Sequence, residues 1–174
     1  MRLLKILALN VFAGVLLPVF GQRSLPPAFF RNQVGLQLGI GQTSAPGVDF
    51  PFSSGIGVFV RRNRHAIGLR QDYHTELQIF KVATYYRFRS LYYGNAWVKK
   101  NSVIMPQFGI GSFASNFPTG QNRVYRGLAA EVAIEATLLK RGNGIGTRVF
   151  FNWNKSQPFV GLHFMLNLGY SWTE

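Results

Sequence analysis

The 174-residue chain contains no cysteine, and it has few acidic residues. The absence of cysteine excludes disulfide bonds, thiolate metal sites and cysteine nucleophiles. Only 6 residues are Asp or Glu against 19 Lys or Arg, which gives a formal net charge of +13. A strongly basic protein suits a negatively charged partner, either nucleic acid or an anionic lipid or polymer. The sequence has no basic recognition helix and no stacking-sheet motif, so we do not expect a nucleic-acid partner.

The chain has one long apolar run, and it lies at the amino terminus. Two basic residues precede the apolar residues 7–20, and Gly21 provides a small-residue cleavage point. This pattern is typical of a secretory signal peptide, whose apolar run is too short for a membrane-spanning helix. We therefore expect residues 1–21 to be removed and residues 22–174 to form one domain; a retained anchor helix is the alternative. The mature chain would keep 17 basic residues (19 − 2) and a net charge of about +11 (17 − 6).

The carboxy-terminal segment 159–172, FVGLHFMLNLGYSW, alternates large apolar residues with small or polar ones. Such alternation predicts a β-strand with one apolar face. Residues 32–42, NQVGLQLGIGQ, show the same pattern with a glycine-rich opposite face. A soluble sandwich would need a second layer of bulky residues facing the first. Small inward and large outward side chains instead favour a barrel with a narrow interior surrounded by lipid.

Eight such segments follow one another without a predicted helix between them. The sequence therefore predicts an all-β fold, an eight-stranded antiparallel up-and-down transmembrane β-barrel. Residues 126–141 also suit a helix because Ala, Glu and Leu favour it, but their strict alternation favours a strand. With both termini in the periplasm, the outer connections are expected at residues 42–54, 72–76, 112–124 and 153–158. The periplasmic connections are expected at residues 61–65, 89–102 and 140–144.

Charged residues are predicted on the interior faces of several strands. In the fourth strand, Tyr86 and Phe88 are assigned to the outer face, which turns Lys81 and Arg87 inward. The predicted salt-bridge network of the lumen comprises Arg70, Lys81, Arg87, Glu131, Glu135 and Arg148. Because buried charges must be paired in a narrow lumen, we expect these residues to keep the barrel shut. A proton or ion path is the alternative function of the same residues.

The segment 87–102 is long for a periplasmic turn, and it carries basic and aromatic residues. Gly94-Asn95 within it suits a two-residue hairpin turn. Strands four and five are therefore expected either to join in a long turn or to continue beyond the membrane as a ribbon. The candidate partner-binding residues of this hairpin are Arg89, Tyr92, Tyr93, Trp97, Lys99 and Lys100. Aromatic residues beside arginine are typical of interface centres, although the same aromatic residues could belong to a membrane girdle.

The mature chain resembles the small eight-stranded outer-membrane β-barrel proteins of Gram-negative bacteria, the OmpA/OmpX-like group. The resemblance covers Gln33 to Trp172 and rests on the signal peptide, the stripes VGLQLGIG and FVGLHFMLNLGYSW, and the aromatic last strand. Members of this group often end on an aromatic residue, whereas this chain continues with Thr173-Glu174. The resemblance implies a bacterial outer-membrane protein in contact with membrane lipid and lipopolysaccharide.

Some barrels that resemble this one are enzymes acting on lipid A, in which a histidine can serve as the catalytic base. The histidines of this chain are predicted at a turn (His65), in an outer loop (His74) and in the lumen (His163), with no pair at metal-ligand spacing. The deacylase type has a serine nucleophile two residues after its histidine base, and here that position is Met165. We therefore predict no catalytic, metal-binding or cofactor-binding residues.

The sequence thus predicts a non-enzymatic outer-membrane barrel that serves as a structural, adhesive or accessory subunit of a membrane complex, with loops performing recognition. A lipid-modifying barrel enzyme and a narrow pore are the alternatives. The expected partners are outer-membrane lipid and lipopolysaccharide, with a periplasmic or outer-membrane protein as a further candidate. No cofactor is expected.

Overall fold

The structure, a computed structural model, describes residues 32–44, 52–75, 85–99, 101–115, 124–140, 143–155 and 158–172. Its strands are β1 (Asn32–Ser44), β2 (Phe52–Arg62), β3 (His65–Thr75), β4 (Tyr85–Asn95), β5 (Trp97–Lys99), β6 (Ser102–Ser115), β7 (Tyr125–Lys140), β8 (Asn143–Asn154) and β9 (Phe159–Trp172). The predicted signal peptide lies outside the described residues. In the described ranges no helix is long and apolar enough to cross a membrane.

The strands form one closed antiparallel sheet. Their order is β4-β3-β2-β1-β9-β8-β7-β6-β5, and an additional pairing of β4 with β6 closes the barrel. The short β5 continues β4, because Gly94 pairs with Gln107 and Trp97 pairs with Ile104 at the same offset. The wall therefore has eight strands, and the predicted eight-stranded antiparallel up-and-down barrel is confirmed. The strand interpretation of residues 126–141 is also confirmed as far as Lys140, where β7 ends after 16 residues.

Neighbouring strands are staggered, which tilts them relative to the barrel axis. Directly paired residues, followed once around the wall from Val34, lead back to β1 at Ser44, ten residues further along (44 − 34 = 10). Stagger and strand number together set the tilt and the width of a barrel. Residues that are far apart in the sequence therefore meet inside the lumen.

Side chains alternate between an apolar outer face and a largely polar inner one. In β9, for example, Phe164 and Leu166 are exposed on the outside, whereas His163 and Asn167 are buried inside. This arrangement is the reverse of a water-soluble sheet and is the one expected for a wall in lipid.

The two ends of the barrel differ in the number of residues between one described strand and the next. At one end, here named the turn end, the strands are separated by residues 63–64, 100–101 and 141–142. At the other end, here named the loop end, they are separated by residues 45–51, 76–84, 116–124 and 155–158. Asn63 has a φ of 55°, a left-handed conformation that asparagine tolerates better than most residues.

Several connections differ from prediction because the strands run further than expected. β3 continues to Thr75, so Asp72 and His74 are strand residues and not part of an outer loop. The chain reverses at residues 100–101 and not at Gly94-Asn95, which lies within the wall. The connections expected at 42–54, 61–65, 112–124, 140–144 and 153–158 are also shorter. Polar residues at the strand ends face a polar lumen, so their polarity does not indicate a loop.

Candidate functional site: the lumen

Buried side chains fill the lumen in layers. Toward the loop end lies an aromatic cluster: Tyr86, Phe88, Phe113, Ala129, Ala133, Phe150 and Phe159. Toward the turn end lies a smaller apolar cluster: Ala66, Ala96, Val103, Met105 and Leu139. Between them are two polar clusters, the Arg148 cluster (Asp72, Glu131, Arg148 and His163) and the Arg70 cluster (Gln37, Arg70, Tyr92, Gln107 and Glu135).

The guanidinium of Arg148 lies between two carboxylates. Its Nη2 atom contacts Glu131 Oε1 and lies 3.3 Å from Asp72 Oδ2. The guanidinium carbon is 4.4 Å from the centroid of the Phe150 ring, which adds a cation–π contact. Arg148 and Asp72 are both fully buried. Loss of this one cation would therefore leave two carboxylates without their buried partner.

Glu135, in the Arg70 cluster, receives most of its hydrogen bonds from neutral groups. Gln37 Nε2 donates to its Oε2 at 3.0 Å, and Gln107 Nε2 donates to the same oxygen at 2.8 Å. Thr137 Oγ1 and Asn167 Nδ2 donate to Oε1 at 2.9 and 3.2 Å. The carboxylate is therefore stabilised mainly by dipoles from four residues.

Arg70 approaches Glu135 more loosely, at 3.8 Å between Nη2 and Oε2. Its own hydrogen bonds go to amide oxygens: Nη2 donates to Gln37 Oε1 at 2.7 Å and Nη1 to Gln107 Oε1 at 3.0 Å. Its guanidinium carbon lies 4.4 Å from the centroid of the Tyr92 ring. The two glutamines thus accept from the cation and donate to the anion.

The structure brings together four of the residues predicted in the lumen network, as the pairs Arg148–Glu131 and Arg70–Glu135. Arg87 is a correction, because Tyr86 and Phe88 on either side of it are buried in the lumen and the alternate positions of β4 face outward. The lumen is aromatic near the loop end, so apolar character there does not mark the lipid-facing side. Lys81 lies outside the described residues.

His74 and His163 lie together in the lumen, which corrects the expected placement of His74 in an outer loop. Ser53 Oγ is 2.7 Å from His74 Nδ1 and also contacts His163 Nε2. The two imidazole rings stack with centroids 6.2 Å apart. His65, in contrast, is exposed on the outside, where its Nδ1 lies 2.6 Å from the Tyr93 hydroxyl.

The position of His74 could have been found from the sequence, whereas that of Ser53 could not. Arg70 is predicted to face the lumen, and Asp72 and His74 are the next two residues on that face of β3. Ser53 lies in a stretch with Pro and Gly that was expected to form a loop, so no pattern pointed to it.

Contact among a serine, a histidine and an aspartate raises the question of nucleophilic catalysis. In a catalytic triad the histidine donates Nδ1–H to the aspartate and accepts the serine proton at Nε2. Here His163 Nδ1 lies 3.8 Å from Asp72 Oδ1 but 3.4 Å from Arg148 Nη1. Arginine can only donate, so the nearer neighbour of this nitrogen is a donor and not the aspartate acceptor that a triad requires. His163 is therefore not oriented by Asp72 as in a triad, and Ser53, its neighbour at Nε2, is fully buried.

A metal site is likewise not formed by the residues that the structure describes, since no three of their His, Asp or Glu side chains are arranged to hold an ion.

The predicted partner-binding hairpin is part of the barrel wall. β4 pairs with β3 as far as Asn95, opposite His65, so Gly94-Asn95 is not a hairpin tip. Tyr92 is 2% exposed, and its hydroxyl donates to Gln37 Oε1 at 3.0 Å inside the lumen. Tyr92 therefore cannot belong to an external binding surface. The exposed members of the predicted hairpin are Arg89, Tyr93, Trp97 and Lys99. Lys100 lies outside the described residues.

Aromatic side chains flank the apolar outer band at both ends. Trp97 and Tyr170 are exposed near the turn end, and Phe52 and Trp153 are exposed near the loop end. Two aromatic belts around an apolar band are typical of transmembrane barrels.

No protein-family profile matches the sequence, and no curated protein matches it. Solved structures do match. Neisserial surface protein A (NspA) superposes with a TM-score of 0.59 at 9% identity, covering 79% of this chain and 96% of its own. Ail, the attachment invasion locus protein of Yersinia pestis, has a TM-score of 0.56 at 12% identity, covering 82% of this chain and 100% of its own. A structure of Ail with the heparin analogue sucrose octasulfate covers the same shares at 12% identity, with a TM-score of 0.51.

At these identities the likeness shows the fold alone. The shared fold, the closed strand order and the apolar outer face together confirm the prediction of a transmembrane barrel. This chain is a small eight-stranded transmembrane β-barrel with the fold of the outer-membrane proteins NspA and Ail.

Proposed function

We propose that this protein is a closed, non-enzymatic barrel of the bacterial outer membrane that acts as an adhesive or accessory subunit and binds through its loop end. The observation that carries this proposal is the filled lumen, in which two apolar and two polar clusters occupy successive layers. A barrel filled in this way offers surfaces for binding but no continuous water path for a solute.

Conductance tests the closed lumen. The purified, refolded barrel in a planar lipid bilayer should give no reproducible current steps, while a wide porin under the same conditions gives them. Steps of constant size from the folded barrel that disappear when it is heat-denatured would support the narrow pore instead.

Lipid analysis tests the absence of enzymatic activity. Ser53 is the nucleophile that the lumen would offer, and it is fully buried against His74 and His163. Lipid A from cells with the protein, without it, and with Ser53→Ala should have the same mass spectrum. A change in acyl-chain number that requires Ser53 would make the barrel a lipid-modifying enzyme.

Charge supports an adhesive role toward an anionic polymer. Without residues 1–21 the chain carries a net charge of about +11 (17 − 6). All three acidic residues in the described ranges, Asp72, Glu131 and Glu135, are buried in the lumen. Arg126, near the loop end, is exposed. Ail, which shares the fold, has been crystallised with a heparin analogue, and this supports a sulfated polysaccharide as the class of ligand here.

Heparin binding tests the adhesive role. The folded barrel should be retained on immobilised heparin at low salt and released as salt rises, because exposed charges are screened. Arg126→Gln should elute at lower salt, whereas Arg64→Gln at the turn end should elute with the parent. Equal elution of the parent and a neutral barrel of the same fold would contradict the proposal.

A protein partner at the turn end is a second proposal, favoured by the exposure of Trp97 and Tyr93. Pull-down in mild detergent should recover a partner that Trp97→Ser together with Tyr93→Ser no longer recovers. Tyr170→Ser is the matched control, because Tyr170 is an exposed aromatic residue on another strand. Loss of the partner with the Tyr170→Ser control as well would indicate that any exposed aromatic residue of the membrane girdle is needed, and not a specific site at Trp97 and Tyr93.

Outer-membrane location and removal of residues 1–21 belong to the same proposal. The intact mass of the protein extracted from the outer-membrane fraction should correspond to a chain that begins at Gln22. A mass that retains the first 21 residues would favour the anchor helix.

A further inference from the structure

A groove crosses the outer wall near the loop end, over β4, β6, β7 and β8. It has a volume of about 1000 Å³. Its apolar walls and floor are formed by Leu91, Ile110, Leu128, Ala130 and Trp153.

The groove exists because a small residue lies between large ones. Ala130 pairs directly with Ile110 on one side and with Trp153 on the other. Leu128 and Trp153 are 83% and 69% exposed, so they project from the wall and leave a depression over Ala130. A depression of this shape is suited to an acyl chain lying along the barrel.

Two cations line the same groove, Arg89 on β4 and Lys155 after β8. Arg89 is held in place because its Nε donates to Gln71 Oε1 at 2.7 Å. The acidic side chains that the structure describes are all inside the lumen, so none of them lies beside these cations on the outer wall. An anionic group at the membrane surface would complement them.

A second groove on the outer wall is also apolar, but it has no charged residue in its lining. That groove, of about 520 Å³, is lined by residues of β1, β7, β8 and β9, including Ile40, Ile145 and Phe164. It is an ordinary depression in the lipid-facing surface, whereas the lining of the first groove combines apolar residues with two cations.

The separation of the strands that carry the two cations suits a headgroup with more than one phosphate. The backbones of Arg89 and Lys155 lie three strand spacings apart, about 14 Å along the wall at the usual separation of neighbouring strands. A glycerophospholipid has its charge at a single point. A bisphosphorylated disaccharide lipid has a phosphate at each end of its headgroup.

We propose that this groove binds one molecule of a lipid A-type glycolipid in the leaflet at the loop end. One acyl chain lies over Ala130, between Trp153 and Ile110, and the two phosphates contact Arg89 and Lys155. This inference rests on the proposed outer-membrane location and is independent of the adhesive role.

Native mass spectrometry of the folded barrel released from detergent tests the site. Bisphosphorylated lipid A should be retained as one bound molecule, and phosphatidylglycerol should be retained less. Arg89→Gln and Lys155→Gln should each weaken retention about tenfold, as expected for loss of one charge-assisted contact. Ala130→Phe should weaken it as well, because the new ring fills the trough without changing the charge.

Matched variants separate the site from general lipid contact. Arg62→Gln with Arg64→Gln removes two charges at the turn end, and Ile145→Phe adds a ring in the second groove; both should retain lipid A like the parent. Equal retention of lipid A and phosphatidylglycerol, or equal retention by the groove and control variants, would overturn the proposal. Folding of each variant is checked by its heat-modifiable gel mobility, and heparin retention, measured in parallel, reports the adhesive role separately.

Discussion

The two polar clusters of the lumen neutralise their charges by different means. In the Arg148 cluster one guanidinium contacts two carboxylates, those of Glu131 and Asp72. In the Arg70 cluster the carboxylate of Glu135 accepts from amides and a hydroxyl, and the arginine lies 3.8 Å away. In the first cluster one residue, Arg148, neutralises the carboxylates, whereas in the second cluster several residues stabilise the carboxylate together.

This difference follows from the number of acids in each layer. Two carboxylates that share a buried space repel each other, and a cation between them relieves that repulsion. A single carboxylate can be satisfied by oriented dipoles, each supplying part of the stabilisation. We therefore expect substitutions in the Arg148 cluster to have larger effects than substitutions in the Arg70 cluster.

The largest effect is expected for Arg148→Met, which keeps the volume but removes the charge. Asp72 and Glu131 would remain buried without their cation, and breaking a buried pair in this way costs on the order of 3–5 kcal/mol. Urea-induced unfolding in lipid vesicles should show a strongly reduced free energy of unfolding. Arg64→Met, at an exposed turn position, is the control and should unfold like the parent. An unchanged midpoint for Arg148→Met would show that the cluster is not held by its ion pairs.

A smaller loss is expected for Glu135→Gln. The new amide nitrogen would face the donors of Gln37 and Gln107, and Arg70 would lose its carboxylate. Arg70 would still be held by two amide oxygens and the Tyr92 ring, so the cost should be about 1–3 kcal/mol. The same unfolding experiment measures it. A loss as large as that of Arg148→Met would remove the distinction between the clusters.

The smallest effect is expected for Tyr92→Phe, which removes one hydroxyl from the Arg70 cluster. The hydroxyl donates to Gln37 Oε1 at 3.0 Å, and the ring under Arg70 is retained. The expected cost is about 1 kcal/mol, typical of one hydrogen bond in a network with other donors. Tyr93→Phe, the neighbouring residue on the outer face, should change stability less. The reverse order would mean that Tyr92 does not face the lumen in the membrane.

The presence of a strand, and which of its side chains face lipid, could be predicted from the sequence wherever the outer face is uniformly apolar. In β9 and β7 large apolar residues alternate with small or polar ones, and the structure keeps that assignment. The pattern fails in β4, where Phe88 and Tyr86 are as apolar as lipid-facing residues but belong to the aromatic cluster of the lumen. Alternation identifies two faces; it does not say which one is inside when both are bulky.

For the contacts within the lumen, the sequence predicts the kind of interaction but not which residues form it. Pairing of Arg70 and Arg148 with glutamates follows from the cost of buried charge, but the particular partners depend on the stagger of the wall. Gln37 and Glu135 are 98 residues apart and meet because ten residues of stagger bring β1 opposite β7 across the lumen. No local pattern contains that offset, and for the same reason nothing in the sequence pointed to Ser53 beside His163.

The pairing of β1 with β9 has a consequence for the order of folding. Every other wall contact joins strands that follow one another, whereas this seam joins Asn32 to Trp172, 140 residues apart (172 − 32 = 140). Pairing of such high contact order is slow, because the entropy of closing the whole chain is lost before any of its hydrogen bonds form. Until then the edges of β1 and β9 carry unpaired backbone groups, which a lipid environment penalises severely. A chain cut before Phe159 would retain an open edge, so it should accumulate as an unclosed sheet that needs another protein to cover it.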